Sequence, residues 1–265
     1  MAFRAPPPLP REHGAWTMLA IPMVLGLAAG GAHSPAAWLI PIATVLVFLA
    51  HHAIVPWAQR ARESKSSPPG YAARRLSWGA AYLAAATLVF SCAVFAAAAA
   101  ARGPFLAIAG GAAALAAVYA LAAALGHGRS IAAEIAGMAG MALNAPMMAA
   151  AAGHPFDRSL FGAAALALGY FLSSVAYVRA YDRMRRDRPA AIRACVVVHV
   201  ALAAALAVAA IARALPPWWW IAFVPVVART VWGLARPPET LRQVGLREAL
   251  VAAAFTLLAG VALHP

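Results

Sequence analysis

The chain has 265 residues, 64% of them hydrophobic and only 11% charged, with a mean hydropathy of +0.77; soluble domains carry about 25% charged residues, so a soluble globule is excluded and an integral membrane protein is implied. The formal net charge of +13 would point to nucleic acid in a soluble protein, but here the arginines fall between apolar runs instead of on one face, which excludes that partner. Cys92 and Cys195 are too few and too far apart in predicted depth for a disulfide or a metal knot, and both read as small apolar fillers.

A proline-rich start leads through Arg11-Glu12-His13-Gly14 into the first apolar run, 15–32. A charged start, an apolar core and small residues at 28–32 also fit a secretory signal, although Pro22 and Trp16 make a poor signal core. Further runs of about 20 residues, enough to cross roughly 30 Å of hydrocarbon, follow at 36–56, 78–101, 104–125, 131–152, 160–180, 191–213, 215–235 and 247–264. The expected fold is all-α: a polytopic bundle of nine transmembrane helices forming one integral domain over residues 1–265. The third to fifth runs are crowded with alanine and glycine, including Gly110-Gly111, Gly137 and Gly140, and are expected to pack as a tight bundle.

With this layout, 18 basic residues, Arg229 among them, collect on one side, and Arg102, Arg158 and Arg213 on the other. Lys and Arg concentrate in cytoplasmic loops, so the N-terminus is expected inside and the C-terminus outside.

Ionisable and amide groups inside membrane helices need a partner or a role. Glu134 lies about one turn inside the fifth run, with Arg129 or His127 as the nearest partner, and Asn144 lies deeper on the same face, suited to an interhelical hydrogen bond. His51 and His52 point about 100° apart on a helix, a poor arrangement for sharing a metal, so no metal site is assigned. Arg11, Glu12 and His13 precede the first run as an interfacial anchor with Trp16, and are expected to meet the mouth of the sixth run. That mouth, Tyr177-Val-Arg179-Ala-Tyr181-Asp182, enters the most charged segment of the chain, where long side chains reach back between helices. Asp182 with Arg186 and Arg183 with Asp187 are ordinary helical pairs by spacing.

Pro10-Arg-Glu-His-Gly-Ala-Trp-Thr-Met-Leu19, with Pro22 and Leu25-Gly26, resembles the opening of the YwiC-like family of bacterial membrane proteins. The nine-run layout, Ala145-Pro-Met-Met148, Gly153, and Val175-Ala-Tyr177 with Tyr181, Arg186 and Asp187 resemble the UbiA superfamily of intramembrane prenyltransferases. That likeness implies a UbiA-like bundle with a cytoplasm-facing cavity and magnesium held by two aspartate-rich motifs. The chain departs from it. Val178 and Arg185 stand where the second motif has leading acids, and His51-His52-Ala-Ile-Val-Pro-Trp-Ala-Gln-Arg60 replaces the first. Magnesium follows by family analogy alone, and arginines in its place would bind a diphosphate or carboxylate directly.

The reading is a diverged UbiA-like protein of the bacterial inner membrane that binds an isoprenoid or quinone-like lipid. The alternative is a non-enzymatic component, a small transporter or an assembly partner of a membrane complex. The ligand-binding candidates are Arg11, Glu12, His13, His51, His52, Glu134, Asn144, Tyr177, Arg179, Tyr181, Asp182 and Asp187.

Overall fold

The computed structural model describes residues 7–10, 13–63, 70–155, 159–184, 187–216, 218–236 and 241–263. Regular structure among them is helical throughout: α1 (His13–Ala28), α2 (Pro35–Arg62), α3 (Tyr71–Ala96), α4 (Ala99–Ala124), α5 (Ile131–Ala142), α6 (Asn144–Ala151), α7 (Gly162–Arg183), α8 (Arg188–Ile211), α9 (Val224–Ala235) and α10 (Leu241–Leu263). Short 3₁₀ turns occupy Gly31–His33, Ser159–Phe161 and Trp219–Phe223. Among the described residues seven segments are long and apolar enough to cross a membrane, with α5 and α6 forming one of them, and Trp16–Ala28 and Trp219–Ala235 are shorter apolar helices. The protein is an all-α, multi-pass membrane protein, as the apolar runs predict.

Boundaries move where polar residues continue a helix. α2 runs on to Arg62 past the end of the apolar run, because Arg60 and Arg62 are exposed and carry their charge outward on long stems without interrupting the backbone bonds, and α3 begins at Tyr71. The fifth run breaks at Leu143, between α5 and α6. Asn144 Nδ2 donates to the Met141 carbonyl at 2.9 Å, and Pro146 has no N–H to offer residue 142, so the regular ladder stops there.

The short α6 is the centre of the molecule, with all eight of its residues buried. On one side Met147 and Met148 pack with Ile40, Phe105 and Ile108 of α2 and α4. On the other, Ile21, Leu25, Tyr170, Phe171, Phe223 and Phe255 join α1, α7 and α10. The alanine- and glycine-rich helices do not form one three-helix unit. Gly79 brings α3 against Ile54 of α2, and a side chain at Gly140 of α5 would come within 3.3 Å of the Ala112 carbonyl of α4, whereas a side chain at Gly110 would meet nothing within 4 Å.

Helix ends in a bilayer leave carbonyls that water cannot reach, and several arginines serve them. Arg102 donates to Val94, Phe95 and Ala97 at 3.1–3.2 Å, closing α3. Gln59 closes α4 through Ala123 (2.8 Å), Arg188 closes α9 through Leu234 (3.2 Å) and Trp218 closes α10 through Ala262 (2.9 Å). Arg75 Nη1 takes the His52 carbonyl at 2.7 Å, which Pro56, four residues on, cannot serve. These contacts bring the ends of α2 and α4 together, the end of α7 beside the start of α5, and the start of α8 beside the end of α9, at the arginine-rich end of the bundle.

Candidate functional site

The helix leaving for the arginine-rich end, α7, presents two faces that carry polar side chains. Leu172, Val175, Ala176, Arg179 and Arg183 face a groove of about 350 Å³ shared with Glu134, Ile135 and Met138 of α5 and with Ala194, Cys195 and Val198 of α8. Its wall is apolar and its polar groups lie at one end. There Arg179 Nη2 meets Glu134 Oε1 at 2.6 Å and donates to the Arg129 carbonyl at 2.9 Å. The sequence suggests Arg129 or His127 as the partner of Glu134; the fold supplies Arg179 instead, because α5 packs along α7, and Arg129 contributes only its carbonyl. With side chains 34% and 23% exposed, this pair contributes about 0–1 kcal/mol, little enough to exchange for a ligand.

The other face of α7 carries Tyr170, Ser174 and Tyr177, spaced to lie above one another, and Tyr181 one turn on. Tyr170, Ser174 and Tyr177 surround a buried ion pair that sequence reasoning missed. Arg229 of α9 places Nη1 2.5 Å from Glu248 Oε1 of α10, with side chains only 3% and 11% exposed. Ser174 donates to Glu248 Oε2 at 2.6 Å, Tyr170 donates to the Glu248 carbonyl at 3.3 Å, and the guanidinium lies 4.3 Å from the centre of the Tyr177 ring. Thr230, the next residue of α9, reaches His199 Nε2 of α8 at 3.2 Å, and His199 Nδ1 contacts the Cys195 carbonyl at 2.8 Å. The pair therefore ties α9 to α10 and α7, and its neighbour extends the tie to α8. Arg229 does not belong with the loop arginines among which its position near the end of an apolar run placed it. The signal was in the sequence: an arginine and an acid, each inside one of two neighbouring apolar runs, are costly unless they meet.

The remaining candidates separate. Asn144 is buried and accepts from Thr44 Oγ1 at 2.6 Å, the interhelical bond expected of it. Thr44→Val should lower stability by about 1 kcal/mol, as interhelical hydrogen bonds in membranes do, and detergent-phase unfolding of the two proteins checks this. His51 stacks on Tyr119 at 5.2 Å and His52 lies 4.3 Å from the Phe48 ring, so both are held in aromatic packing. Asp182 is exposed. Asp187, the expected helical partner of Arg183, opens the next helix instead, and its carboxylate accepts from the Ala190 N–H at 3.1 Å. Arg11, Glu12, Arg186 and the side chain of His13 lie outside the described residues, so their meeting with the mouth of α7 does too; α1 itself packs on α6, α7 and α10.

A family model described as YwiC-like protein matches residues 9–152, more than half of the chain. The chain belongs to the YwiC-like family. It is also similar to "Uncharacterized protein YwiC" of Bacillus subtilis (strain 168), 38% identical over 60 residues, a stretch that spans 23% of this chain and 23% of that relative. No solved structure matches. The family match covers α1 to α6, with Glu134 and Asn144, whereas Arg179, Arg229 and Glu248 of this YwiC-like protein lie beyond it.

Proposed function

We propose that this YwiC-like protein binds an isoprenoid or quinone-like lipid in the groove between α5, α7 and α8, as a diverged UbiA-like protein of the bacterial inner membrane. The observation that carries this reading is the groove's polarity: an apolar wall of Ile135, Met138, Leu172, Val175 and Val198 ending at Glu134, Arg179 and Arg183. A prenyl chain or similar tail would lie along the wall, driven by packing. Its polar head would take charge-assisted hydrogen bonds from the arginines, which hold planar and anionic groups better than lysine does.

Magnesium does not fit these residues. His51 and His52 are committed to aromatic neighbours, the Asp187 carboxylate caps α8, and among the described residues no three His, Cys, Asp or Glu side chains gather at a metal-binding spacing. Recognition is thus assigned to Arg179 and Arg183, and no transfer step is derived. Magnesium-dependent transfer from a prenyl diphosphate to an aromatic acceptor, abolished by Asp187→Ala, would overturn this assignment.

The test of binding is lipid extraction and mass spectrometry on the purified protein and on Ala194→Trp, which fills the groove from α8. The wild type should retain a defined lipid that the variant has lost while still eluting as a folded species. Equal retention in both would remove the groove from consideration. The same reading puts the arginine-rich end in the cytoplasm, so reporters fused after Gly153 and Pro265 should both report the external side. A cytoplasmic signal at either position would reverse or break that orientation.

A further inference from the structure

The end of the bundle opposite the arginine-rich one holds a second cavity, of about 480 Å³, where the last turns of α1, α6, α8 and α10 meet. Ala29, Leu160, Leu215 and Leu263 give it an apolar wall, and His154 and Arg213 line its polar side.

Arg213 holds a backbone conformation that favours glycine. Three helices end in the same turn, in which an N–H beyond the helix bonds back to a late carbonyl: His127 to Ala122 for α4 (2.7 Å), His154 to Ala149 for α6 (3.1 Å) and Ala214 to Ala209 for α8 (2.8 Å). Each turn needs one residue in the left-handed region. α4 uses Gly126 at φ +82° and α6 uses Gly153 at φ +92°, but α8 uses Arg213 at φ +59°, among the described residues the one non-glycine with positive φ. Arginine pays a steric penalty there that glycine avoids. The backbone bonds already close α8, so the guanidinium is not required as a cap, and what arginine adds is a fixed positive charge at the cavity. At the same cavity, the His154 ring lies over Gly30, where any side chain would overlap the imidazole.

We propose that this cavity binds an amphiphilic anion. The guanidinium of Arg213 and a ring N–H of His154 hold a carboxylate or phosphate head, and the apolar part rests on the alanine and leucine wall. The volume falls in the range of about 300–1,000 Å³ typical of small-molecule sites, and a guanidinium–anion contact is among the stronger hydrogen bonds available. The head belongs either to a lipid of the adjoining leaflet or to a solute from the aqueous phase.

The experiment uses the full chain in phosphatidylcholine nanodiscs and follows the thermal unfolding midpoint. Inorganic phosphate is titrated in one arm against chloride at equal ionic strength, and phosphatidylglycerol replaces part of the lipid in the other. A rise in midpoint with phosphate identifies a solute site, and a rise with phosphatidylglycerol alone identifies a lipid site. Arg213→Gly separates binding from structure. It should unfold at a higher temperature than wild type without the anion, because the backbone strain is gone, and its half-saturating anion concentration should be at least about tenfold higher. His154→Gln should weaken binding several-fold. No rise with either probe in the wild type overturns the proposal, as does an unchanged anion response in Arg213→Gly.

Discussion

Arg229→Met should lower the unfolding free energy of the detergent-solubilised protein by about 3–5 kcal/mol, the cost of leaving one member of a buried ion pair alone. Glu248 would keep the Ser174 hydroxyl but lose the only cation within hydrogen-bond reach among the described residues. Arg229→Met with Glu248→Leu should recover most of the loss, because two apolar side chains of similar volume replace a pair whose attraction barely repays its desolvation. Denaturant titration of the four proteins measures the coupling directly. A single-variant cost no larger than that of Glu134→Gln, which touches only the half-exposed pair at the groove, would show that Arg229 and Glu248 are solvated. The incomplete bonding of Arg229 sharpens the expectation. Its Nη1 is used, its Nε lies 3.5 Å from the Val226 carbonyl, and its buried Nη2 has no hydrogen-bond partner among the described residues. What the pair contributes is a defined position for α9, a helix of 12 residues that is amphipathic and buries Val226, Arg229, Thr230, Gly233 and Leu234 on one side.

Gly233→Ala should cost about 1–3 kcal/mol, the usual penalty of overpacking a filled interior. A methyl group at Gly233 would overlap the Tyr177 hydroxyl and come within 2.7 Å of its Cζ. Either the ring leaves the face of Arg229 or α9 lifts from α7. Both outcomes weaken the same ion pair, so the costs of Gly233→Ala and Arg229→Met should be less than additive when combined. Strict additivity would mean that Tyr177 accommodates the methyl without disturbing Arg229, and that the ring and the charge are independent. Tyr177→Leu in the Gly233→Ala background supplies the converse: by removing the clash it should restore part of the stability that the methyl takes away.

The two faces of α7 show how much of the site could be read from residues alone. Tyr177, Arg179 and Tyr181 stand out in the sequence because an apolar run ends in polar residues with long side chains, and all three lie at or just inside the arginine-rich end. Their separation into a groove face and an ion-pair face follows from 100° per residue, but which neighbour each face meets does not. Glu134 shows the same limit. Its need for a cation was legible from its depth, whereas the choice of Arg179 over Arg129 depended on α5 lying against α7. Arg229 was misassigned because hydropathy along one helix cannot distinguish an arginine that ends a membrane span from one that turns inward to an acid on another helix.

Composition and the lengths of the apolar runs were sufficient for the class: a bilayer admits only segments that satisfy their own backbone, so such a chain must be a bundle of helices with its arginines near their ends. The opening motif was likewise sufficient for the family. Tertiary structure decided the rest. It gave Asn144 to Thr44, paired Arg229 with Glu248 across α9 and α10, and brought Arg213 and His154 to one cavity. Each of these joins residues far apart in the chain, and in a membrane the partner of a buried polar group is chosen by which helices lie side by side, a property no single stretch of sequence carries.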